Sequence, residues 1–409
     1  MTVLEIPQRR ARLGLRHRLA PSARAARTEE AAAPLLGLHA TDSPSVLLSA
    51  LARLRSPSVG DVERALYEDR GLVRMHCMRR TLFAVPRELV PVLEASTARE
   101  IAARERRALL KELAGAEPAW DEARLDAAAR KAEALLAERG ELPLRELTAA
   151  VPELSATLVV APGKKYASRV SVGSRVVRLL AMEGRIRRGT PVGGWTAGSF
   201  RWFVPDGPEG RAESSAEGVR DDPRAAKAEV VRRWLDAFGP GTEADLKWWT
   251  GWPVRDVRTA VADLGTELDT VELETAPGRR TAGWVRAGDT EPVAEPEPWA
   301  ALLPALDPST MGWRDRDWYL DPGHVPQLFD TIGNAGPTVW WNGEIIGGWA
   351  QRADGEIVWR LLADRGAEAE AAVAAEADRL SGLLGELRVQ PQFPNPLGAE
   401  LAGTGARVR

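Results

Sequence analysis

Within the run Gly37-Leu38-His39-Ala40-Thr41-Asp42-Ser43-Pro44, an imidazole, a hydroxyl and a carboxylate fall at His39, Thr41 and Asp42. The run lies between two stretches with the apolar spacing of amphipathic helices, Thr28 to Leu36 and Pro44 to Leu54. Such a group can hold a water or pass a proton, and the chain has only 4 histidines in all. A plainer reading stands beside this one: Asp42 or Ser43 caps the following helix, with Pro44 at its first position.

Other chemistries lack their residues. No His-Glu-x-x-His spacing occurs, and the single cysteine, Cys77, excludes both an internal disulfide and a cysteine zinc site. No glycine-rich loop carries a phosphate-binding lysine; Gly193-Gly194 and Gly347-Gly348 read as turn or strand glycines. There is no nucleophile elbow for a serine triad. What remains is acid–base or water-positioning chemistry without metal or cofactor.

A chain of 409 residues is expected to divide into roughly two to four compact units. No apolar run is long enough to cross a bilayer, and the N-terminus lacks the pattern of a secretory signal. The expectation is a cytoplasmic protein with no membrane contact. The excess of arginine over lysine and the abundance of alanine suggest a high-GC bacterium. The net charge of −3 averages over opposed segments. Residues 1–27 and 164–188 are strongly basic, the second through Lys164, Lys165, Arg169, Arg175, Arg178, Arg185, Arg187 and Arg188; acidic residues collect at Glu209 to Asp222 and Glu368 to Asp378. Local basic patches on a near-neutral chain are the footprint of a phosphate-backbone binder.

The elements that would position these groups recur. In residues 1–115, helices at Pro7 to Arg18, Thr28 to Leu36, Pro44 to Leu54 and Gly60 to Asp69 precede strands at Leu72 to Met75 and Thr81 to Val85; a long helix then runs from Pro86 through Glu112. In 116–207, helices at Asp121 to Arg139, Leu144 to Val151 and Val172 to Glu183 precede strands at Arg185 to Arg188 and Phe200 to Val204, with a basic loop at Gly163 to Tyr166. Asp206 to Asp222 is a Gly/Glu/Ser-rich linker. In 223–293, helices at Ala225 to Phe238, after Thr242 and from Pro253 precede strands at Asp269 to Glu274 and Thr281 to Val285 around a Pro277-Gly278 tip. Helix, helix, hairpin is the plan of a winged helix-turn-helix. Three such units in one chain suit an enclosing clamp on DNA better than a dimeric regulator. Residues 294–409 change character. Strands at Thr338 to Trp341, Glu344 to Trp349 and Glu356 to Leu361, joined by Asn342-Gly343 and Asp354-Gly355, make an antiparallel meander before a helix at Ala367 to Leu384.

Three fragments carry a resemblance: Gly37 to Pro44, Asp61-Val62-Glu63-Arg64-Ala65-Leu66, and Leu72-Val73-Arg74 with Met78-Arg79-Arg80-Thr81-Leu82-Phe83. Together they resemble the AlkZ/YcaQ-type winged-helix DNA glycosylases, whose corresponding segment reads Leu-Val-Arg … Met-Arg-Gly-Thr-Leu. Leu303 to Trp313 and the Val339 to Gly348 hairpin resemble the family's C-terminal region, so the likeness spans most of the chain. It implies a fold of three tandem winged helices in a C-shaped clamp with a C-terminal β-barrel. It also implies excision of bulky or cross-linked alkylpurines, adducts of genotoxic natural products among them. The family's catalytic motif is Gln-apolar-Gln or Gln-apolar-Asp after the Gly-Leu. Here His39 stands at the first Gln, Thr41 at the second and Asp42 next to it.

Chemistry tolerates the exchange. A guanine alkylated at N7 is already cationic and leaves readily, so the enzyme must chiefly stabilise an oxocarbenium-like sugar and place a water at C1′. His39 as acceptor, Thr41 as hydroxyl and Asp42 as orienting or stabilising carboxylate supply that. The expectation is therefore an α+β protein: three winged helix-turn-helix units plus a C-terminal antiparallel β-barrel-like unit, acting as a monomer on double-stranded DNA with alkylpurine lesions. Arg79, Arg80, Lys164, Lys165, Arg187 and Arg188 are the candidate backbone contacts. With no lysine near the motif, hydrolysis would be monofunctional. A winged-helix DNA-binding regulator and a non-catalytic damage binder are the alternatives. Turnover to abasic sites separates the enzyme from both.

Overall fold

A computed structural model of the chain describes residues 2–116, 119–160, 168–205, 221–392 and 394–403. Helix boundaries follow local chemistry. The Asp121 carboxylate accepts the Arg124 N–H at 2.8 Å to start Glu122–Arg139, and Gly140 at φ +76° ends it. Thr242 and Asp245 close a reciprocal capping box on Glu243–Thr250. Pro253 precedes Val254–Leu264. Two expected helices are not continuous. Val59–Glu63 passes into a π turn at Arg64–Glu68. The span after Pro86 begins as a 3-10 turn, Arg87–Leu89, passes through a short α-helix with Pro91 in its first turn, Val90–Leu93, and a π turn, Glu94–Ala98, and settles into a long α-helix at Arg99–Leu113.

Three times along the chain, helices lead into an antiparallel pair. Leu72–His76 pairs with Leu82–Pro86, and the two-residue strand Leu38–His39 adds to the far edge of the latter. Arg187–Pro191 pairs with Phe200–Phe203, which also takes Leu142–Pro143. Leu268–Ala276 pairs with Arg279–Arg286 across a tip where Gly278 holds φ +73°. A further hairpin, Thr157–Val160 with Ser168–Ser171, has no counterpart in the sequence reading. The chain start returns to the third pair: Val3–Leu4 runs parallel to Glu272 and Leu273.

The C-terminal region is an open sheet and not the expected barrel. Ala300–Leu303, Thr338–Trp341, Glu344–Gln351 and Ile357–Leu361 form four antiparallel strands in that order, with unpaired outer edges among the described residues. Asn342 at φ +46° and Gly343 at φ +83° make the tight turn that their types demand. The helix Gly366–Leu384 packs on the sheet. With one face covered by this helix and the other by the aromatic core, four strands suffice and closure is unnecessary. Trp318, Trp340 and Trp349 are fully buried; the Trp349 indole N–H donates to the Leu303 carbonyl at 2.9 Å.

One core joins the first region, the third and the C-terminal sheet, while a second gathers around Leu113, Leu147, Val176 and Leu180. Across the larger core runs a buried polar knot. Arg53 makes a two-pronged bond to Asp307 at 2.7 and 2.9 Å, both side chains 0% exposed. Ser49 donates to Asp307 at 2.6 Å, and Ser309 bridges Arg53 to the His17 Nδ1 at 2.8 Å. Every carboxylate and guanidinium position here has a partner, which is what allows the pair to exist in a dry core.

Candidate active site

Gly37 sits at φ +121°, and a Cβ there would lie 2.8 Å from the Ala84 carbonyl, so only glycine lets the strand Leu38–His39 meet its neighbour. That pairing sets His39 opposite Phe83, with ring centres 5.0 Å apart. The imidazole is buried and its Nδ1 has no partner. Burial, then the nearby Arg79 guanidinium, pushes its pKa down to about 3, with Asp307 opposing weakly. His39 is therefore neutral near pH 7.

Thr41 is tied to the same strand: its Oγ1 accepts the Leu82 N–H at 3.3 Å, while the Ala40 N–H donates to the Leu82 carbonyl at 2.7 Å. Its hydroxyl proton has no acceptor among the described residues. Asp42 turns the other way. It occupies the N-cap position of Ser43–Leu51, with Ser43 first and Pro44 second in the helix, but its side chain accepts no helix N–H. It accepts instead from the Gln392 N–H at 3.2 Å and faces Ser45 Oγ at 3.0 Å, and Ser45 donates to the Ala305 carbonyl at 2.6 Å. Burial raises the Asp42 pKa, and the bonds from the Gln392 N–H and the Ser45 hydroxyl oppose that rise. Asp42 also borders a largely apolar cavity of about 100 Å³ lined by Leu48, Pro304, Trp349 and Val389. The structure thus brings His39 and Thr41 together on the Leu82–Pro86 strand. Asp42 makes no bond to His39.

The expected DNA contacts fall in different surroundings. Arg79 and Arg80, in the turn Met78–Arg80, both hold left-handed backbones at φ +53° and +63°. Arg79 stacks over Trp248, 4.1 Å from the ring centre; Arg80 is exposed and pairs with Glu105 at 2.8 Å. Arg187 is not on the surface: it is buried against Glu94 at 3.0 Å. Arg188 lies over Phe200 at 4.8 Å, its pKa lowered to about 10 by burial and then by Arg74 and Arg178. Lys164 and Lys165 lie outside the described residues.

Sequence reasoning passed over Trp248 and Arg316, which join Arg79 in one stack. A signal existed for the first. Adjacent residues on a helix point about 100° apart, so Trp248-Trp249 cannot both enter the core, and the half-buried Trp248 is the one left facing outward. Arg316, in Arg314-Asp315-Arg316-Asp317, had none. Among the described residues no group of three His, Cys, Asp or Glu side chains gathers to hold a metal ion.

A family model described as DNA glycosylase AlkZ-like matches residues 32–383. The solved structure of Streptomyces sahachiroi DNA glycosylase AlkZ is similar in fold, with a TM-score of 0.66 and 20% identity, over 94% of this chain and 98% of that one. No curated protein gives a significant sequence match.

Proposed function

Because the chain belongs to the AlkZ-like DNA glycosylase family, we propose that it hydrolyses the N-glycosidic bond of bulky N7-alkylated guanine in duplex DNA, without a covalent enzyme intermediate. The observation that carries this reading is the state of His39. A neutral imidazole with an unmet Nδ1 cannot protonate a leaving group near pH 7, so it suits a substrate whose leaving base is already cationic. On this reading His39 accepts a hydrogen bond from the attacking water and the Thr41 hydroxyl donates to it. Both hold the water against C1′ as positive charge develops on the sugar. Asp42 acts as a positioning residue, pinning the start of Ser43–Leu51 to the Gln392 backbone. The first lysine in the chain is Lys111, which supports simple hydrolysis over a Schiff base.

The same reading takes the three helix-and-hairpin stretches as winged helices that enclose the duplex, within units 1–115, 116–207, 223–293 and 294–409. It gives a monomer in a bacterial cytoplasm, associated with the nucleoid and protecting DNA against a genotoxic natural product. The test is a duplex carrying one N7-alkylguanine, incubated with substoichiometric full-length protein and then cleaved with alkali. Strand breaks at the lesion, in excess of the enzyme, are expected. His39→Ala should slow single-turnover excision by about 100-fold or more, the usual worth of a positioned acid–base or water-holding group. No break at stoichiometric enzyme refutes the activity, and full-rate excision by His39→Ala refutes the site.

A further inference from the structure

Arg79, Trp248 and Arg316 come from three separated parts of the chain: the turn Met78–Arg80, the helix Glu243–Thr250 and the loop after Leu303. The Arg79 guanidinium lies 4.1 Å, and that of Arg316 5.0 Å, from the centre of the same indole ring; Arg316 is also 5.0 Å from the ring of Phe329. The approach is built in. Gly251, at φ +74°, lies so close that a Cβ there would sit 3.1 Å from Arg79 Cγ.

Neither arginine has an ion pair among the described residues, whereas several other packed arginines do. Arg12 and Arg16 share Asp289, Arg53 holds Asp307 and Arg187 holds Glu94. The nearby acids are engaged elsewhere: Asp245 accepts from Thr242 and from the Arg314 and Asp315 backbone, and Asp317 pairs with Arg279. The Nε atoms of Arg79 and Arg316 are buried without partners. The Arg316 guanidinium faces the buried Tyr319 hydroxyl, and its Nη2 lies 3.9 Å from Met311 Sδ. Two like charges on one ring repel, and Arg316 adds to burial in lowering the Arg79 pKa to about 10. Aromatic backing fixes guanidinium planes, and paired planar donors are what an oxyanion fits.

We propose that Arg79 and Arg316, held against Trp248, form a site for one phosphodiester of the DNA backbone beside His39. The identity of the polymer rests on the glycosylase reading; the oxyanion chemistry does not. Free inorganic phosphate offers the same oxygens and is the competing source.

The test titrates full-length protein against a short undamaged fluorescein-labelled duplex over a series of salt concentrations. Losing one phosphate contact lowers the slope of log affinity against log salt by about 0.9. Between about 50 and 200 mM salt, Arg79→Gln and Arg316→Gln should therefore each lose affinity about threefold less steeply than wild type. Since both grip one phosphate, the double variant should match the singles, and a drop twice as large overturns the shared site. Arg316→Lys keeps the charge and should keep most of the slope. Unchanged slopes in folded variants, checked by melting temperature, overturn the proposal. If inorganic phosphate raises the melting temperature over chloride of equal ionic strength in wild type alone, while DNA slopes stay equal, the site takes free phosphate and the DNA assignment falls. Lowered slopes without abasic-site formation leave this site standing and sink the glycosylase reading.

Discussion

Acid should unfold this protein through its histidines before its carboxylates. His17, His39 and His76 are all buried, and each has its pKa pushed down from 6.5 to about 3. Burial is the main cause in all three. Next come Arg53 for His17, Arg79 for His39, and Arg188, Arg178, Arg187 and Arg80 for His76. Between those pKa values the unfolded chain binds protons that the folded chain refuses. Stability is thus fully present above about pH 6.5 and is lost as pH falls towards 3. At about pH 5 one such histidine costs about 2 kcal/mol, so three remove about 6 kcal/mol relative to pH 7.5. That is a large share of the 5–15 kcal/mol typical of a folded domain. Urea unfolding followed by fluorescence of the 15 tryptophans, at steps from about pH 7.5 to 5, measures the loss. His76→Asn should lessen it by about 2 kcal/mol, one third of the total. A midpoint that stays level across this range, or a decline unaltered by that substitution, would refute the reasoning.

Two further outcomes follow from buried charge and backbone strain. Asp307→Asn leaves the Arg53 guanidinium unpaired in the core and should cost about 3–5 kcal/mol, read as a fall in calorimetric Tm. The double change Arg53→Met with Asp307→Leu should lie nearer wild type than either single, and a single variant with wild-type Tm would sink the idea. Arg80→Gly relieves a left-handed arginine at φ +63° and should gain about 1 kcal/mol, less the small worth of the exposed Glu105 pair. A lowered Tm would show that the ion pair outweighs the strain.

What could be read from the sequence was local. The Thr242 cap, the Pro253 start, the Pro277-Gly278 tip and the Asn342-Gly343 turn all sit where residue type alone dictates a backbone. The resemblance in the first hundred residues placed the chain in its family. Contacts across long separations were not legible. Asp42 looked like a helix cap because its partner Gln392 is 350 positions away. Arg187 showed its charge but not its burial against Glu94, which lies 93 positions earlier in the chain. The meander and the helix after it could be read from residue types, whereas the barrel was implied by the resemblance alone, and the four strands form an open sheet with Gly366–Leu384 packed on it. The helix expected after Pro86 is broken into short turns around Pro91, whose missing N–H is a signal present in the sequence.

The knot between Arg53 and Asp307 also orders events in time. A ribosome that has made Arg53 must add another 254 residues before its carboxylate partner exists. At about 5–20 residues per second this takes roughly 13–50 seconds. For that interval the nascent N-terminal region carries a cation meant for a dry core, and Val3–Leu4 also lacks the distant strand it will join. The first region therefore cannot mature as it emerges. The core that holds Arg53 can close only after residue 307 has been made.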